Sequence, residues 1–142
     1  GFKQYEVSNY AKASYESKHN KVYWHYENYY GIGIGASGKI DNKLIEHNRN
    51  IYAYINGKET REETILTNED SIFNHIMMSL RLLEGFDIKQ INQQYNINLE
   101  KKYESVITKY RNKNWLQITN GRLHCTKESL KFLNTILIDF IE

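Results

Sequence analysis

Residues 19–24 (HNKVYW) place an imidazole, an amide and two large aromatic rings within six positions. An imidazole can ligate a central iron while two rings flank a planar ligand, so His19, Tyr23 and Trp24 are candidates for such a site. Aromatic-rich turns more often fill a gap in a hydrophobic core. From these residues alone, packing is the better interpretation.

A glycine-rich run follows at residues 31–38 (GIGIGASG) and satisfies the spacing G-x-G-x-x-G from Gly33 onward. In a dinucleotide site that spacing turns a strand into a helix whose free amides bind a pyrophosphate. The next residues, GKIDNK, start a helix poorly, and no acidic residue closes a βαβ unit at the expected distance. We therefore interpret the glycines as keeping a strand end bare, for structural reasons or to face a ligand.

The other residues that could do chemistry are scattered. They include one cysteine, Cys125, and the histidines His19, His25, His47, His75 and His124. None has the spacing of a zinc site, so we predict no metal site and no catalytic residue in this chain, and we interpret His75 and His124 as packing or surface residues. Cys125 cannot form an internal disulfide, and we interpret it as an inert strand thiol. Together with the absence of an apolar run of about 18 residues, it predicts a cytoplasmic protein without a membrane span.

The composition allows one ordinary core or two small subdomains, since 40% of the 142 residues are hydrophobic and 25% are charged. The formal net charge of +2 is spread along the chain. No basic stripe that could grip a phosphate backbone is present, so no nucleic-acid partner is expected.

Up to about residue 60 the pattern predicts short strands and loops. QYEVSNY (4–10) alternates like a strand, and in YYGIGIGASGKI (29–40) Ile32, Ile34 and Ala36 alternate with glycines. KLIEH (43–47) predicts a third strand, and a short helix is expected around NRNIYAYI (48–55).

Helical spacing takes over after the charged segment NGKETREET (56–64). Apolar residues from Ile72 to Leu83 predict a helix that Thr67 or Asn68 caps and Gly85 ends. Asp87 is expected to cap a short helix and Asn98 a longer one.

The segment WLQITNGRLHCT (115–126) predicts two strands joined at Asn120-Gly121, the pair that best tolerates the positive φ angles of a type I′ turn. Thr126 is then expected to cap a closing amphipathic helix. Three helices, a hairpin and a last helix are typical of a winged-helix-like module, which can bind DNA or serve only in packing. Glu100 and Glu104 lie among its basic residues and lower the local positive charge. DNA binding is therefore the less favoured of these two interpretations.

As one block, residues 5–40 resemble the late barrel region of the oxygen-independent coproporphyrinogen III oxidase family, whose members are radical S-adenosylmethionine proteins. Residues 68–99 and 115–141 resemble the small helical C-terminal domain of that family. The resemblance implies an α+β chain, with the terminal strands of an incomplete (β/α) barrel at residues 1–60 and a helical, winged-helix-like domain at residues 61–142. It also implies a C-terminal fragment that associates with the missing N-terminal part of the same protein.

Within that family, HNxxYW is more typical of the haem-chaperone branch than of the oxidase branch. The resemblance makes His19 the candidate haem ligand with Tyr23 and Trp24 beside it, and it places the glycine-rich strand end near S-adenosylmethionine, at Gly33, Gly35, Ala36 and Ser37. The family's CxxxCxxC, which binds a [4Fe-4S] cluster, is absent, and one cysteine cannot replace three thiolates. The cluster ligands are therefore expected outside this chain, and the chain alone is expected to be inactive.

Three functional hypotheses follow. The leading one is a fragment of a radical S-adenosylmethionine protein of porphyrin and haem metabolism, from the haem-chaperone branch, with haem or a porphyrin as its partner. The second is the oxidase proper, which converts coproporphyrinogen to protoporphyrinogen by oxidative decarboxylation. The third is an independent winged-helix module that binds nucleic acid.

Overall fold

The computed structural model describes residues 1–58 and 60–141, and it confirms the α+β class. The strands are β1 Lys3–Gln4, β2 Tyr10–Ala11, β3 Ser37–Ile40, β4 Lys43–His47, β5 Arg61–Ile65, β6 Phe86–Asp87, β7 Leu116–Thr119 and β8 Arg122–Cys125. The helices are α1 Lys18–Trp24, α2 Ile51–Ile55, α3 Asn68–Ser79, α4 Ile88–Tyr95, α5 Leu99–Lys102, α6 Glu104–Asn112 and α7 Leu133–Ile138. No helix within the described part of the chain is long and apolar enough to cross a bilayer.

The chain divides into two compact units. The first unit contains residues 1–26 and the described residues from Ile72 onward, and the second unit contains Glu27–Ser71. The predicted division into residues 1–60 and 61–142 concerns the domains of the family, and it stays a prediction.

The first unit has a hydrophobic core built from the helices after residue 71 and the antiparallel sheet β6-β8-β7. Apolar side chains recur at helical spacing on α4 and α6, so each of these helices buries one face. Ile76, Leu99 and Leu123 have no exposed surface at all. Burying one such side chain completely contributes roughly 1.5–3 kcal/mol, so this core stabilises the whole unit.

Three predicted helix caps are confirmed. The Thr67 hydroxyl oxygen accepts the Asp70 N–H at 3.1 Å, and the Asp70 carboxylate accepts the Thr67 N–H in return. The Asp87 carboxylate accepts the N–H of Gln90, the third residue of α4. The Asn98 side chain caps α5 by the same kind of hydrogen bond.

The predicted helix ends are less accurate. The helix α3 ends at Ser79, well before Gly85, because the next residues pair with the chain start: Val7 N–H donates to Arg81 O at 2.9 Å and Leu83 N–H donates to Tyr5 O at 3.1 Å. Backbone groups used in that pairing cannot continue a helix. The long helix predicted from Asn98 is interrupted at Tyr103, where φ is −111° and ψ is 29°.

The predicted hairpin is confirmed, with φ of 52° at Asn120 and 76° at Gly121. A third strand, β6, joins this hairpin through the pairing of Phe86 with Leu123, and no local pattern predicts it. The prediction for Thr126 is wrong, because its hydroxyl donates to Asn114 O and the closing helix starts later, as a 3-10 turn at Leu130–Phe132 that leads into α7. The winged-helix assignment of this region stays a prediction.

The second unit contains the antiparallel sheet β3-β4-β5, and it confirms the strand at residues 43–47 and the helix α2. The strand predicted through Ile32 and Ile34 is wrong, since positive φ angles at Gly33 and Gly35 interrupt extended backbone and β3 begins only at Ser37. The sequence does not predict the strand β5, because three of its five residues are charged and the whole strand is exposed.

Two predictions near the chain start also need correction. QYEVSNY is not one strand, since only its ends lie in β1 and β2, which pair antiparallel with each other. Residues 19–24 belong to the helix α1 instead of a turn. Ser17 begins this helix, because its side-chain oxygen accepts the Asn20 N–H at 3.2 Å.

Candidate functional site

The helix α1 brings His19 and Tyr23 together on one face. Residues four positions apart are neighbours on a helix surface. The Tyr23 hydroxyl lies 3.0 Å from His19 Nε2, and the two rings meet edge to face with centroids 4.8 Å apart and an angle of 87°. His19 is exposed and Tyr23 is half-buried. The imidazole is therefore accessible and held in one orientation.

Trp24 does not share that face. Five helical positions place it about 140° around α1 from His19. The Arg81 guanidinium lies over the Trp24 ring, 5.2 Å from its centroid, and the Ser79 hydroxyl donates to Trp24 O at 3.0 Å. The buried indole Nε1 has no hydrogen-bond partner among residues 1–58 and 60–141. In this structure Trp24 anchors the helix.

Two further side chains face Glu84, one from α1 and one from the residue that ends this helix. Lys21 Nζ lies 3.8 Å and His25 Nε2 lies 3.3 Å from Glu84 Oε1. Each exposed ion pair contributes little to stability, about 0–1 kcal/mol. Both pairs nevertheless join α1 to the same chain segment that contacts Trp24. Residues 79–84 thus hold one side of α1 and leave the His19 side outward.

Sequence reasoning missed this anchor. Ser79 and Trp24 are 55 positions apart, and neither Arg81 nor Glu84 stands in a recognisable motif. No local signal in the sequence could have identified the contact.

The glycine-rich segment has two kinds of glycine. A Cβ on Gly31 would meet the Ser37 carbonyl oxygen at 2.5 Å, so Gly31 lets one backbone approach another. Gly33 has a φ of 97° and open space where a Cβ would point. Ala36 is half-buried, and its N–H donates to Gly33 O at 3.2 Å. Gly31 therefore permits a close backbone approach, and Gly33 lies beside open space.

A cavity of about 220 Å³ adjoins this segment. Gly35 and Ser37 line it, whereas Gly33 and Ala36 do not, and its remaining walls are polar: Glu46, His47, Asn48, Arg49, Thr60 and Glu62. Ligand pockets are usually about 300–1,000 Å³, so this cavity has room for a small polar group or part of a larger ligand.

Residues that could hold an iron–sulfur cluster are not found in the described chain. Burial raises the pKa of Cys125, the single cysteine, to about 12, so it stays a protonated thiol at neutral pH. No group of three or more His, Cys, Asp or Glu side chains within residues 1–58 and 60–141 could hold a metal ion. The residues present therefore do not fit a [4Fe-4S] cluster.

His75 and His124, interpreted from the sequence as packing or surface residues, both contact other side chains. His75 is buried with Nδ1 3.1 Å from the Tyr95 hydroxyl, and its ring lies 5.3 Å from that of Tyr26. His124 is half-buried in β8 with Nε2 3.2 Å from the Thr119 hydroxyl.

The comparisons with known proteins first define the class. Residues 66–130 match the family described as the HemN C-terminal domain. A solved structure of the Escherichia coli coproporphyrinogen III oxidase HemN, described as a radical SAM enzyme, shares the fold with a TM-score of 0.71 over 99% of this chain and 37% of that chain, at 14% identity. Residues 66–130 therefore belong to the HemN C-terminal domain family.

Among curated proteins, the chain is similar to several that bear the name "Heme chaperone HemW". It is 33% identical to the protein from Buchnera aphidicola of Schizaphis graminum, over 100% of this chain and 39% of the relative. It is 30% identical to the relatives from Lactococcus lactis and Bacillus subtilis, over 99% of this chain and 38% of each relative. The chain thus spans about two fifths of the length of these relatives.

Proposed function

We propose that this chain is the C-terminal part of a radical S-adenosylmethionine haem chaperone and that His19 ligates the iron of the haem it handles. The observation that carries the proposal is the exposed His19 imidazole on the outward face of an anchored helix. The names of the relatives that match the whole chain support the same branch.

The residues of α1 fit a haem cargo in part. His19 offers an accessible imidazole, and Tyr23 lies close enough to touch whatever binds there. Trp24 contributes by fixing the helix, since its ring lies under Arg81. An accessible imidazole on a fixed helix is the arrangement that an axial iron ligand needs.

S-adenosylmethionine is proposed to bind beside residues 33–37 in the whole protein. Supporting this are the open space at Gly33 and the polar cavity lined by Gly35 and Ser37. The cofactor and its [4Fe-4S] cluster supply radical chemistry when bound, and the cluster ligands are proposed to lie outside this chain, because its one cysteine is buried and protonated.

Residues 1–60 are proposed to complete the barrel of the whole protein, and residues 61–142 to form its C-terminal domain. In the second unit, Leu66 is the only large apolar side chain buried among the described residues. The helix α2 exposes Ile51, Tyr52, Tyr54 and Ile55. A helix that is apolar all round is normally buried, so the rest of the protein is the natural cover. We propose a cytoplasmic location from the cysteine content.

The experiment is a haemin titration of the whole protein, followed by its Soret absorption. His19→Ala should abolish the ligand-dependent Soret shift, because no other residue of α1 presents an imidazole on that face. His25→Ala is the matched control, since this histidine lies next to the same helix but faces Glu84, and it should bind as the unaltered protein does. An unchanged Soret band in the His19 variant rejects the proposal.

The oxidase activity is a second candidate, which the likeness in fold to a coproporphyrinogen III oxidase favours. It requires that the reconstituted whole protein convert coproporphyrinogen to protoporphyrinogen anaerobically with S-adenosylmethionine. Product formation in that assay would support the oxidase and reject the chaperone assignment.

A further inference from the structure

The hydrogen bond between Tyr23 and His19 uses the nitrogen that iron would need. On the imidazole this bond involves Nε2, which lies 3.0 Å from the phenol oxygen of Tyr23. If the phenol donates, it occupies the Nε2 lone pair. If Nε2 donates, that nitrogen carries a proton that must move to Nδ1 before a metal can bind. In either case Nε2 is not free for iron.

The other imidazole nitrogen is a poor substitute. Nδ1 is bonded to the ring carbon that joins the side chain to α1, so a wide macrocycle centred there would collide with the helix. Nε2 points away from the backbone and lets the macrocycle lie clear of it. Iron bound by His19 therefore belongs on Nε2.

Iron and the phenol cannot occupy this position together. Bonds from imidazole nitrogen to a metal such as zinc are about 2.0–2.1 Å long. An ion at a similar distance along the same direction would overlap the Tyr23 oxygen, which lies 3.0 Å from Nε2. The phenol must turn aside before the bond to iron can form.

We infer that Tyr23 masks His19 in the haem-free protein and competes with iron for Nε2, instead of stabilising bound haem. This rests on the proposed function of His19. The masked state holds the imidazole in one orientation, and each binding event exchanges one hydrogen bond for one coordinate bond. Tyr23 thereby weakens haem retention, which suits a protein that must release its cargo.

The test compares haemin affinity and association rate in the whole protein and its Tyr23→Phe variant, which keeps the ring and removes the hydroxyl. The net value of one hydrogen bond between neutral groups predicts that haemin binds about two- to tenfold more tightly to the variant, and faster. Tyr15→Phe is the matched control, because Tyr15 precedes the same helix and is 80% exposed. It should bind as the unaltered protein does.

The His19→Ala background separates the possible results. There, Tyr23→Phe should have no effect, because the nitrogen for which the phenol competes is gone. Weaker or unchanged haemin binding by Tyr23→Phe alone, with His19→Ala still defective, overturns the masking role and leaves His19 as the ligand. Retention of the Soret shift by His19→Ala overturns the proposed function itself.

Discussion

The two units of the chain differ in what they bury. In the first unit, side chains from α3 to α7 and the sheet β6-β8-β7 form one continuous apolar core. The second unit has a sheet of equal strand number, β3-β4-β5, yet β5 is exposed along its whole length and α2 buries no residue. A three-stranded sheet needs an apolar face or a packed helix to be stable on its own. We therefore expect the first unit to be stable by itself. We expect the second unit to be stable only when other protein packs against its exposed apolar side chains.

Truncating one isoleucine in each unit gives the largest expected contrast. Ile76→Ala removes a side chain with 0% exposure and should lower the free energy of unfolding by about 2–5 kcal/mol. Ile32→Ala removes one with 90% exposure and should change it by less than about 0.5 kcal/mol. Urea unfolding followed by tryptophan fluorescence and far-UV circular dichroism measures both. Equal losses would contradict the contrast between the units.

A methyl group added to one glycine in each unit tests the same contrast through the backbone. Gly85 has a φ of 57°, and an added Cβ would collide with Leu123 O, so Gly85→Ala should cost about 2–4 kcal/mol of unfolding free energy. Gly33 has a φ of 97° but open space around it, so Gly33→Ala should cost only backbone strain, about 1–2 kcal/mol. The midpoints of urea unfolding measure both losses of stability. A larger loss for Gly33→Ala than for Gly85→Ala would contradict the contrast between the units.

Removing one helix cap in each unit should give the smallest effect. Asp87 accepts the Gln90 N–H at 3.0 Å at the start of α4, which buries Ile88 and Ile91. Asp87→Ala should therefore cost about 1 kcal/mol. Asn50 accepts the Ala53 N–H at 3.1 Å, but α2 buries nothing, so Asn50→Ala should cost less than about 0.5 kcal/mol in the same measurement. A comparable loss at Asn50 would show that α2 stabilises this chain more than its exposure indicates.

Local signals made much of the first unit predictable. Asp87, Asn98 and the pair Asn120-Gly121 act within four residues of themselves, and the structure confirms all three. Errors arose where distant pairing decides the outcome. The end of α3 and the third strand β6 both depend on segments far away in the sequence, so no local pattern encodes them.

The candidate site divides in the same way. The spacing of His19 and Tyr23 is visible in the sequence, but it does not predict the helix α1, because a short helix of mixed residues has weak periodicity. Only the helical structure of α1 shows that Trp24 lies on a different side from His19. The support from Ser79, Arg81 and Glu84 became evident only from the folded chain.

That support has a consequence for shortened versions of this polypeptide. A chain stopped before Ser79 would still spell HNKVYW, yet it would lack the hydroxyl, the guanidinium and the carboxylate that contact the far side of α1. A genome search for this six-residue motif alone would count such products as competent, although their helix α1 would lack these three contacts.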